Sequence, residues 1–239
     1  MTQGVLNQID VAVLAGGLGT RVSHVLGTTP KLLAPVQGRP YIEHFLGWIG
    51  GFGARRVVFC LGHLADVVVQ YLRDHPPALS VEVVIEPEPM GTAGALRHAR
   101  SALRSDPVLV CNGDTFVDAD LAPLVQRHQA DPAAATLLCG EVADTSRFGR
   151  ITLDGQGRIA SFAEKGGGGP GLINCGLYLM SAPLLDRIAE GQARSLERDV
   201  LAQCPPGSLG CHAGRFDFLD IGTPESLSSA ATHRLPGSA

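Results

Sequence analysis

Apolar and polar residues follow two different rhythms along the first half of this 239-residue chain. Residues 40–53 show the spacing of an amphipathic helix in their apolar positions, which are Ile42, Phe45, Leu46 and Ile49. Short, continuous apolar runs predict buried strands instead. The predicted strands are 9–15, 56–62, 81–86 and 107–114, and the predicted helices are 40–53, 64–74 and 92–103. This alternation indicates an α/β protein with a largely parallel sheet and helices on both faces.

The second half of the chain is patterned differently, with several strand-like segments before its helices. The predicted strands are 133–142, 148–154, 157–165 and 171–180. We expect helices around 182–190 and 195–202, a short strand pair near 208–219 and a last helix from Pro224. The glycine-rich segment 166–171 is expected to be a mobile loop. No linker long enough to separate two domains interrupts the chain, so we expect one domain over residues 1–239.

Composition excludes several classes of protein. A net charge of −4 and a pI of about 6.0 differ from the basic balance of nucleic-acid-binding proteins. No apolar run approaches the roughly 18 residues that span a bilayer, and the N-terminus does not resemble a signal peptide. The six cysteines contain no CxxC pair and the eight histidines have no zinc-ligand spacing. We therefore expect a cytoplasmic protein that binds neither nucleic acid nor a membrane.

A glycine-rich loop, AGGLGTR, follows the first predicted strand from Ala15 to Arg21. Its glycines allow backbone N–H groups to approach an anionic ligand closely. The loop departs from both the P-loop and the dinucleotide-binding fingerprint at Val22. It and the NGD segment at 112–114 both follow predicted strands, where ligands bind in parallel sheets. We interpret it as a phosphate-binding loop of another kind, the alternative being a strand-to-helix turn without a ligand.

The sequence LAGGLGTR, followed by PKLLAPVQGRPYIEH, resembles the signature of the sugar-1-phosphate nucleotidylyltransferases. Further segments resemble the family in order: EPEPMGTAGAL (86–96), NGDTFVDADL (112–121), FAEK (162–165), GLINCGLYLM (171–180), SLERDVL (195–201) and FLDIGTPESL (218–227). The likeness is closest to the subgroup of D-glycero-D-manno-heptose 1-phosphate guanylyltransferases. The resemblance implies a Rossmann-like three-layer α/β/α fold with a mixed, mostly parallel central sheet. It also implies a nucleotide-binding half (1–120) and a sugar-phosphate-binding half (121–239).

The resemblance further implies a reaction between two anions. An oxygen of a sugar 1-phosphate attacks the α-phosphate of a nucleoside triphosphate, GTP in this subgroup, and pyrophosphate leaves. Arg21 is expected to bind the departing pyrophosphate, and Lys31 the α-phosphate and the sugar phosphate. Asp114 and Asp220 are expected to hold Mg²⁺, which prefers oxygen ligands, with Asp217 a weaker candidate. We assign no general base, because the attacking phosphate oxygen is already ionised.

Binding residues are also carried over from the resemblance. The expected nucleotide-binding residues are Leu14, Ala15, Gly16, Gly17, Gly19, Thr20, Glu86, Gly91, Thr92 and Asn112. Glu86, or its neighbour Glu88, would accept the two N–H donors of guanine. The expected sugar-phosphate-binding residues are Gly149, Glu164, Lys165 and Asn174.

Other functions remain open at this point. The same family includes uridylyltransferases and mannose-1-phosphate guanylyltransferases. The DxD sequence at Asp118–Asp120 is typical of metal-dependent glycosyltransferases, although Asp120 also suits a helix start. A non-catalytic nucleotide-sugar sensor would have lost cations or metal ligands that this chain retains. We expect a monomer or a homodimer.

Overall fold

A computed structural model describes residues 4–131, 133–163 and 167–230. Its strands are β1 (Val11–Ala15), β2 (Pro35–Val36), β3 (Arg39–Pro40), β4 (Arg56–Leu61), β5 (Ser80–Ile85), β6 (Val108–Asn112), β7 (Thr115–Asp118), β8 (Ala135–Val142), β9 (Arg150–Leu153), β10 (Ile159–Phe162), β11 (Gly171–Met180), β12 (Leu209–Gly214) and β13 (Asp217–Asp220). Its α-helices are α1 (Ser23–Leu26), α2 (Tyr41–Gly51), α3 (Ala65–Asp74), α4 (Gly91–Ala99), α5 (Ala122–Ala130), α6 (Ala182–Glu190) and α7 (Pro224–Ser229). Short 3₁₀ turns occupy Lys31–Leu33, Arg100–Ala102 and Leu201–Gln203.

Nine of the strands form one sheet. Its main row has the order β12-β8-β11-β6-β1-β4-β5, and the pair β9–β10 is attached to the first part of β11. Strands β5, β4, β1 and β6 are parallel, whereas β11 is antiparallel to both β6 and β8. Since β12 is parallel to β8, β11 alone runs against the other strands of this row. The predicted mixed, mostly parallel sheet is confirmed.

Helices cover both faces of this sheet, which confirms the predicted three layers. Alternate residues of each strand point to opposite faces. In β1, Val11 and Val13 pack with α2 and α3, whereas Ala12 and Leu14 pack with α4 and α6. The largest fully buried side chains include Tyr41 of α2. All six cysteines are free thiols, and five of them are buried.

Two predicted elements of the second half differ from the structure. Residues 195–202 were expected to form an ordinary helix, but Leu196–Val200 form a single π-helical turn. The strands near 208–219 exist, yet they do not pair with each other, because β12 pairs with β8 and β13 pairs with β7. Although β12 and β13 are neighbours in sequence, they therefore belong to different sheets. The local sequence pattern identifies strands but cannot show which strands pair.

The predicted strands and helices of the first half are all present, whereas the short elements α1, β2, β3 and β7 were not predicted. The helix predicted from Pro224 is α7, whose start is capped by the Thr223 side chain accepting the Ser226 N–H. The Asp120 carboxylate accepts the Ala122 N–H at 2.9 Å, in keeping with a helix start. Within the described part of the chain, no helix has the length and hydropathy of a membrane span.

Candidate active site

A cavity of about 670 Å³ lies at the carboxyl ends of β1, β4, β5 and β6. This is where a parallel sheet binds ligands. Fourteen predicted site residues line it: Leu14, Ala15, Gly16, Gly17, Gly19, Arg21, Lys31, Glu86, Gly91, Thr92, Asn112, Asp114, Asn174 and Asp220. Thr20 and Gly149 lie outside this lining, and Glu164 and Lys165 lie outside the described residues.

The pairing of β7 with β13 brings the two predicted metal ligands together. Thr115 lies opposite Asp220 in this pair, and Asp114 immediately precedes β7. The Ile221 N–H donates to the Asp114 carbonyl oxygen at 2.9 Å, which extends the pairing by one bond. Two carboxylates that are distant in sequence thus reach one side of the cavity.

Cations and carboxylates converge next to Gly222. A Cβ at this glycine would lie 2.6 Å from Asp220 Oδ1, 3.3 Å from Arg21 Nη2 and 3.5 Å from Asp114 Oδ2. The Gly222 N–H donates to Asp220 Oδ1 at 2.7 Å, which fixes that carboxylate. Lys31 Nζ forms an ion pair with Asp114 Oδ2 at 2.9 Å. The absence of a side chain at position 222 leaves space in the middle of this group.

The donor set fits a Mg²⁺ ion that is completed by substrate. Two carboxylates beside two cations supply only part of an octahedral shell, and Mg²⁺ in such sites takes its other oxygens from phosphates and water. No cluster of three or more His, Cys, Asp or Glu residues that could hold a metal occurs in the described ranges. The weaker candidate, Asp217, is exposed at the far end of β13, opposite Asp118, and does not line the cavity.

Glu86 forms the end of the cavity that follows β5. The residue is only 8% exposed, and its Oε2 accepts the Met90 N–H at 2.9 Å. A Cβ at Gly16 would lie 1.8 Å from Glu86 Oε1, so a larger residue there would displace this carboxylate. Burial raises the pKa of Glu86 above its ordinary value, although the Met90 N–H opposes that shift. The alternative, Glu88, is exposed and does not line the cavity.

Asn112, at the end of β6, presents an acceptor without a partner. Its Oδ1 is buried and has no hydrogen bond within the described structure. A Cβ at Gly176 would lie 2.6 Å from Asn112 Nδ2, so the asparagine side chain packs directly on β11. An unsatisfied buried acceptor is costly, and one that lines a cavity suits a ligand hydroxyl or N–H group.

The start of α4 is joined to the segment that precedes the π-helical turn. Gly91 has a φ of 76°, and a Cβ there would lie 2.4 Å from the Arg194 carbonyl oxygen. That same oxygen accepts the Ala93 N–H at 2.9 Å, and the Leu196 N–H donates to Thr92 Oγ1 at 2.7 Å. The side chain of Thr92 therefore already has a structural role.

Charged and aromatic residues that the sequence did not point to also line the cavity, among them His63, Phe148, Arg194, Glu197 and Phe218. Phe148 and Phe218 meet edge to face at 5.8 Å between ring centroids. Glu197 lies within SLERDVL, which was noted only as a resembling segment. Two of its side-chain partners, Thr92 and Tyr178, come from distant parts of the chain, so no local pattern could have identified this network.

Comparisons with known proteins identify the family of this chain. The family model described as nucleotidyl transferase matches residues 11–235. A mannose-1-phosphate guanylyltransferase of Mycobacterium tuberculosis is 34% identical over 92% of this chain, which spans only 63% of that protein. A D-glycero-alpha-D-manno-heptose 1-phosphate guanylyltransferase of Campylobacter jejuni is 31% identical, over 91% of this chain and 96% of the relative.

Solved structures give the same result. HddC from Yersinia pseudotuberculosis superposes with a TM-score of 0.83 at 31% identity, over 94% of this chain and 98% of HddC. The same protein complexed with GMP-PN gives a TM-score of 0.82 at 30% identity and the same coverage. The family resemblance seen in the sequence is thus confirmed, and the chain belongs to the nucleotidyl transferase family, with sugar-1-phosphate guanylyltransferases among its relatives.

Proposed function

We propose that the protein transfers a guanylyl group from GTP to a sugar 1-phosphate in a Mg²⁺-dependent reaction, releasing pyrophosphate. The observation that carries this proposal is the convergence of Arg21, Asp114 and Asp220 beside Gly222, with Lys31 on Asp114. Two polyanionic substrates can react only where their charges are neutralised and their oxygens are held in line. This part of the cavity offers both cations and metal-ligating carboxylates.

In the proposed reaction, a phosphate oxygen of the sugar 1-phosphate attacks the α-phosphorus, and the bond to the β-phosphate oxygen breaks. Lys31 neutralises the α-phosphate and the incoming phosphate, and Arg21 binds the departing pyrophosphate. Asp114 and Asp220 would hold Mg²⁺, which when bound polarises the α-phosphate. No residue needs to remove a proton, because the attacking oxygen is already ionised.

The preference for guanine is proposed from the Glu86 end of the cavity. A carboxylate with one oxygen fixed by Met90 and the other beside Gly16 can accept the adjacent N1–H and N2–H₂ donors of guanine. Uracil and thymine offer only one ring N–H. The names of the Mycobacterium and Campylobacter relatives, both guanylyltransferases, support the same choice.

For the sugar, we propose D-glycero-D-manno-heptose 1-phosphate, with mannose 1-phosphate as the second candidate. The Campylobacter relative and this chain match over nearly their whole lengths, which favours the heptose. The higher identity of the Mycobacterium relative favours mannose. We further propose that residues 1–239 form one domain, with a nucleotide-binding half (1–120) and a sugar-phosphate half (121–239), because strands from both halves share one sheet.

The test is pyrophosphate release with Mg²⁺ over a grid of substrates. Four nucleoside triphosphates would be combined with heptose, mannose, glucose and N-acetylmuramate 1-phosphates. We expect the highest kcat/KM for GTP with the heptose, and loss of turnover when EDTA removes the metal. A preference for UTP would refute the guanylyl assignment, and no turnover with any pair would refute the enzymatic function.

A further inference from the structure

Glu197 is a cavity-lining carboxylate to which the proposed reaction assigns no role. Its oxygens receive hydrogen bonds from three hydroxyl groups: Tyr178 at 3.2 Å on Oε1, and Ser195 at 3.3 Å and Thr92 at 3.4 Å on Oε2. All three O···O distances exceed the usual limit of about 3.0 Å for such bonds, so the bonds are weak. A carboxylate offers about four acceptor sites, so Glu197 can still accept a shorter bond from a ligand.

The hydroxyl protons are directed at Glu197 by their other partners. Thr92 Oγ1 accepts the Leu196 N–H at 2.7 Å, and Ser195 Oγ accepts the Arg198 N–H at 3.2 Å. Each hydroxyl therefore has its proton free to donate to the carboxylate. Among the described residues, the carboxylate is thus held in place by neutral groups that do not compensate its negative charge.

Tyr178 connects Glu197 to the predicted sugar-binding residue Asn174. The Gly176 N–H donates to Asn174 Oδ1 at 2.9 Å, which leaves Asn174 Nδ2 to donate to Tyr178 Oη at 2.8 Å. The single phenolic proton must then go to Glu197. Burial, with the charge of Glu197 as a second cause, raises the pKa of Tyr178 well above its ordinary value, so the phenol remains a donor.

An irregularity in β11 makes this chain of hydrogen bonds possible. Residues four apart on an extended strand are separated by roughly 13 Å. In β11, however, Asn174 faces Cys139 and Tyr178 faces Leu137, so four steps along β11 match only two along β8. Gly176, with a φ of 72°, lies within this bulge. Bulges often redirect side chains beside active sites, and the π-helical turn of Glu197 is another such irregularity.

We infer that Glu197 accepts hydroxyl groups of the sugar 1-phosphate, and that Asn174 positions it through Tyr178. This inference rests on the proposed function. A carboxylate whose partners in the described structure are all neutral repels phosphates, and it suits an uncharged, hydroxyl-bearing part of a substrate. Asn174 and Tyr178 belong to β11, on the opposite side of β6 and β1 from Glu86, which favours the sugar over the nucleotide.

The first test is the near-isosteric substitution Glu197→Gln. We expect kcat/KM for mannose or heptose 1-phosphate to fall by about 10- to 100-fold, as for loss of a charged hydrogen bond. The KM for GTP should stay within about twofold. Glu190→Gln, at the exposed end of α6 and outside the cavity lining, is the matched control and should behave as wild type.

The second test separates positioning from general structural support. Tyr178→Phe should lower kcat/KM for the sugar phosphate by roughly 3- to 10-fold. In the Glu197→Gln background it should have almost no further effect, since both changes break the same interaction. Additive effects of the two substitutions would overturn the positioning role of Tyr178.

Deoxy analogues of mannose 1-phosphate identify the hydroxyl that is bound. For the analogue that lacks this hydroxyl, the wild-type kcat/KM should be lower than for mannose 1-phosphate. The kcat/KM of Glu197→Gln should be the same for both substrates. An increase in the KM for GTP, or equal sugar-phosphate kinetics in wild type and variant, would overturn the inference. An absence of wild-type turnover would refute only the proposed reaction. In that case, calorimetric binding of mannose 1-phosphate to wild type and Glu197→Gln still tests the role of Glu197, because the variant should bind more weakly.

Discussion

The ion pair between Lys31 and Asp114 joins two residues that the proposed reaction uses separately. Both side chains are partly exposed, 20% for Lys31 and 30% for Asp114, so the pair adds little to folding stability. Each partner can therefore be exchanged at low cost when substrates enter. Phosphate would replace Asp114 beside the ammonium group, and the metal would replace Lys31 beside the carboxylate.

Lys31→Ala should lower kcat by about 10²- to 10³-fold, the usual effect of removing one preorganised group that stabilises the transition state. The thermal midpoint should change little, because the ion pair is partly exposed. Steady-state pyrophosphate release and a thermal melt of the same sample measure both quantities.

Arg39→Ala provides the control for Lys31→Ala. Arg39 also forms an ion pair, with Glu43 at 2.9 Å, but it does not line the active-site cavity. Its removal should leave kcat within about twofold. Near wild-type turnover of a folded Lys31→Ala protein would refute the role proposed for this lysine.

At the scale of secondary-structure elements, two helical glycines differ in how strongly the structure requires them. Gly91 begins α4 with a φ of 76° and lies against the Arg194 carbonyl. Gly47 lies inside α2, and a Cβ there would meet nothing within 4 Å. The first glycine is required by backbone conformation and close approach, whereas the second only reduces helix propensity.

Alanine at these two positions should therefore have opposite effects. Gly91→Ala should destabilise the fold by about 1–3 kcal/mol, because it strains the backbone and displaces the 194–197 segment from the cavity. Gly47→Ala should stabilise it by about 0.4–1 kcal/mol. Chemical denaturation of both variants measures this, and a stable Gly91→Ala protein would contradict the close contact with Arg194.

The elements themselves were largely predictable from the sequence, whereas their partners were not. Apolar runs and helical spacing identified the strands and helices that build the first half of the sheet. The same patterns could not show that β13 pairs with β7, which brings Asp220 to Asp114. They also left Glu86 and Glu88 as alternatives, which only burial against Gly16 distinguishes. Glu197 was missed because two of its partners, Thr92 and Tyr178, are remote in sequence.

At the scale of the whole molecule, the cavity crosses the sheet from Glu86, after β5, to Asn174 on β11. The proposed base and sugar ends are thus on opposite sides of β1 and β6. The charged groups beside Gly222 belong to the loops after β1 and β6 and to the β7–β13 pair. A single rigid sheet can therefore hold both substrates in a fixed relation, which an in-line displacement needs.

The stability of the molecule should depend on pH through Glu86. Burial raises the pKa of this carboxyl in the native state above its ordinary value of 4.5, so the native state keeps a proton that the unfolded chain has lost. The unfolding free energy contributed by Glu86 therefore falls as pH rises from about 4.5 through the native pKa, and stays reduced above it. Glu86→Gln removes this dependence.

As pH rises from 4 to 8, Glu86→Gln should consequently become more stable to unfolding than the wild type. GTP should reverse this order near pH 8, because the ionised carboxylate accepts the guanine N–H groups and ligand binding stabilises the native state. CTP and UTP should leave the variant more stable than the wild type, because they lack the two adjacent N–H donors of guanine. Denaturation at several pH values, with and without each nucleotide, measures both effects. If the difference in unfolding free energy between the two proteins did not change with pH, the burial argument would be contradicted. Equal stabilisation of both proteins by GTP would contradict guanine recognition by Glu86.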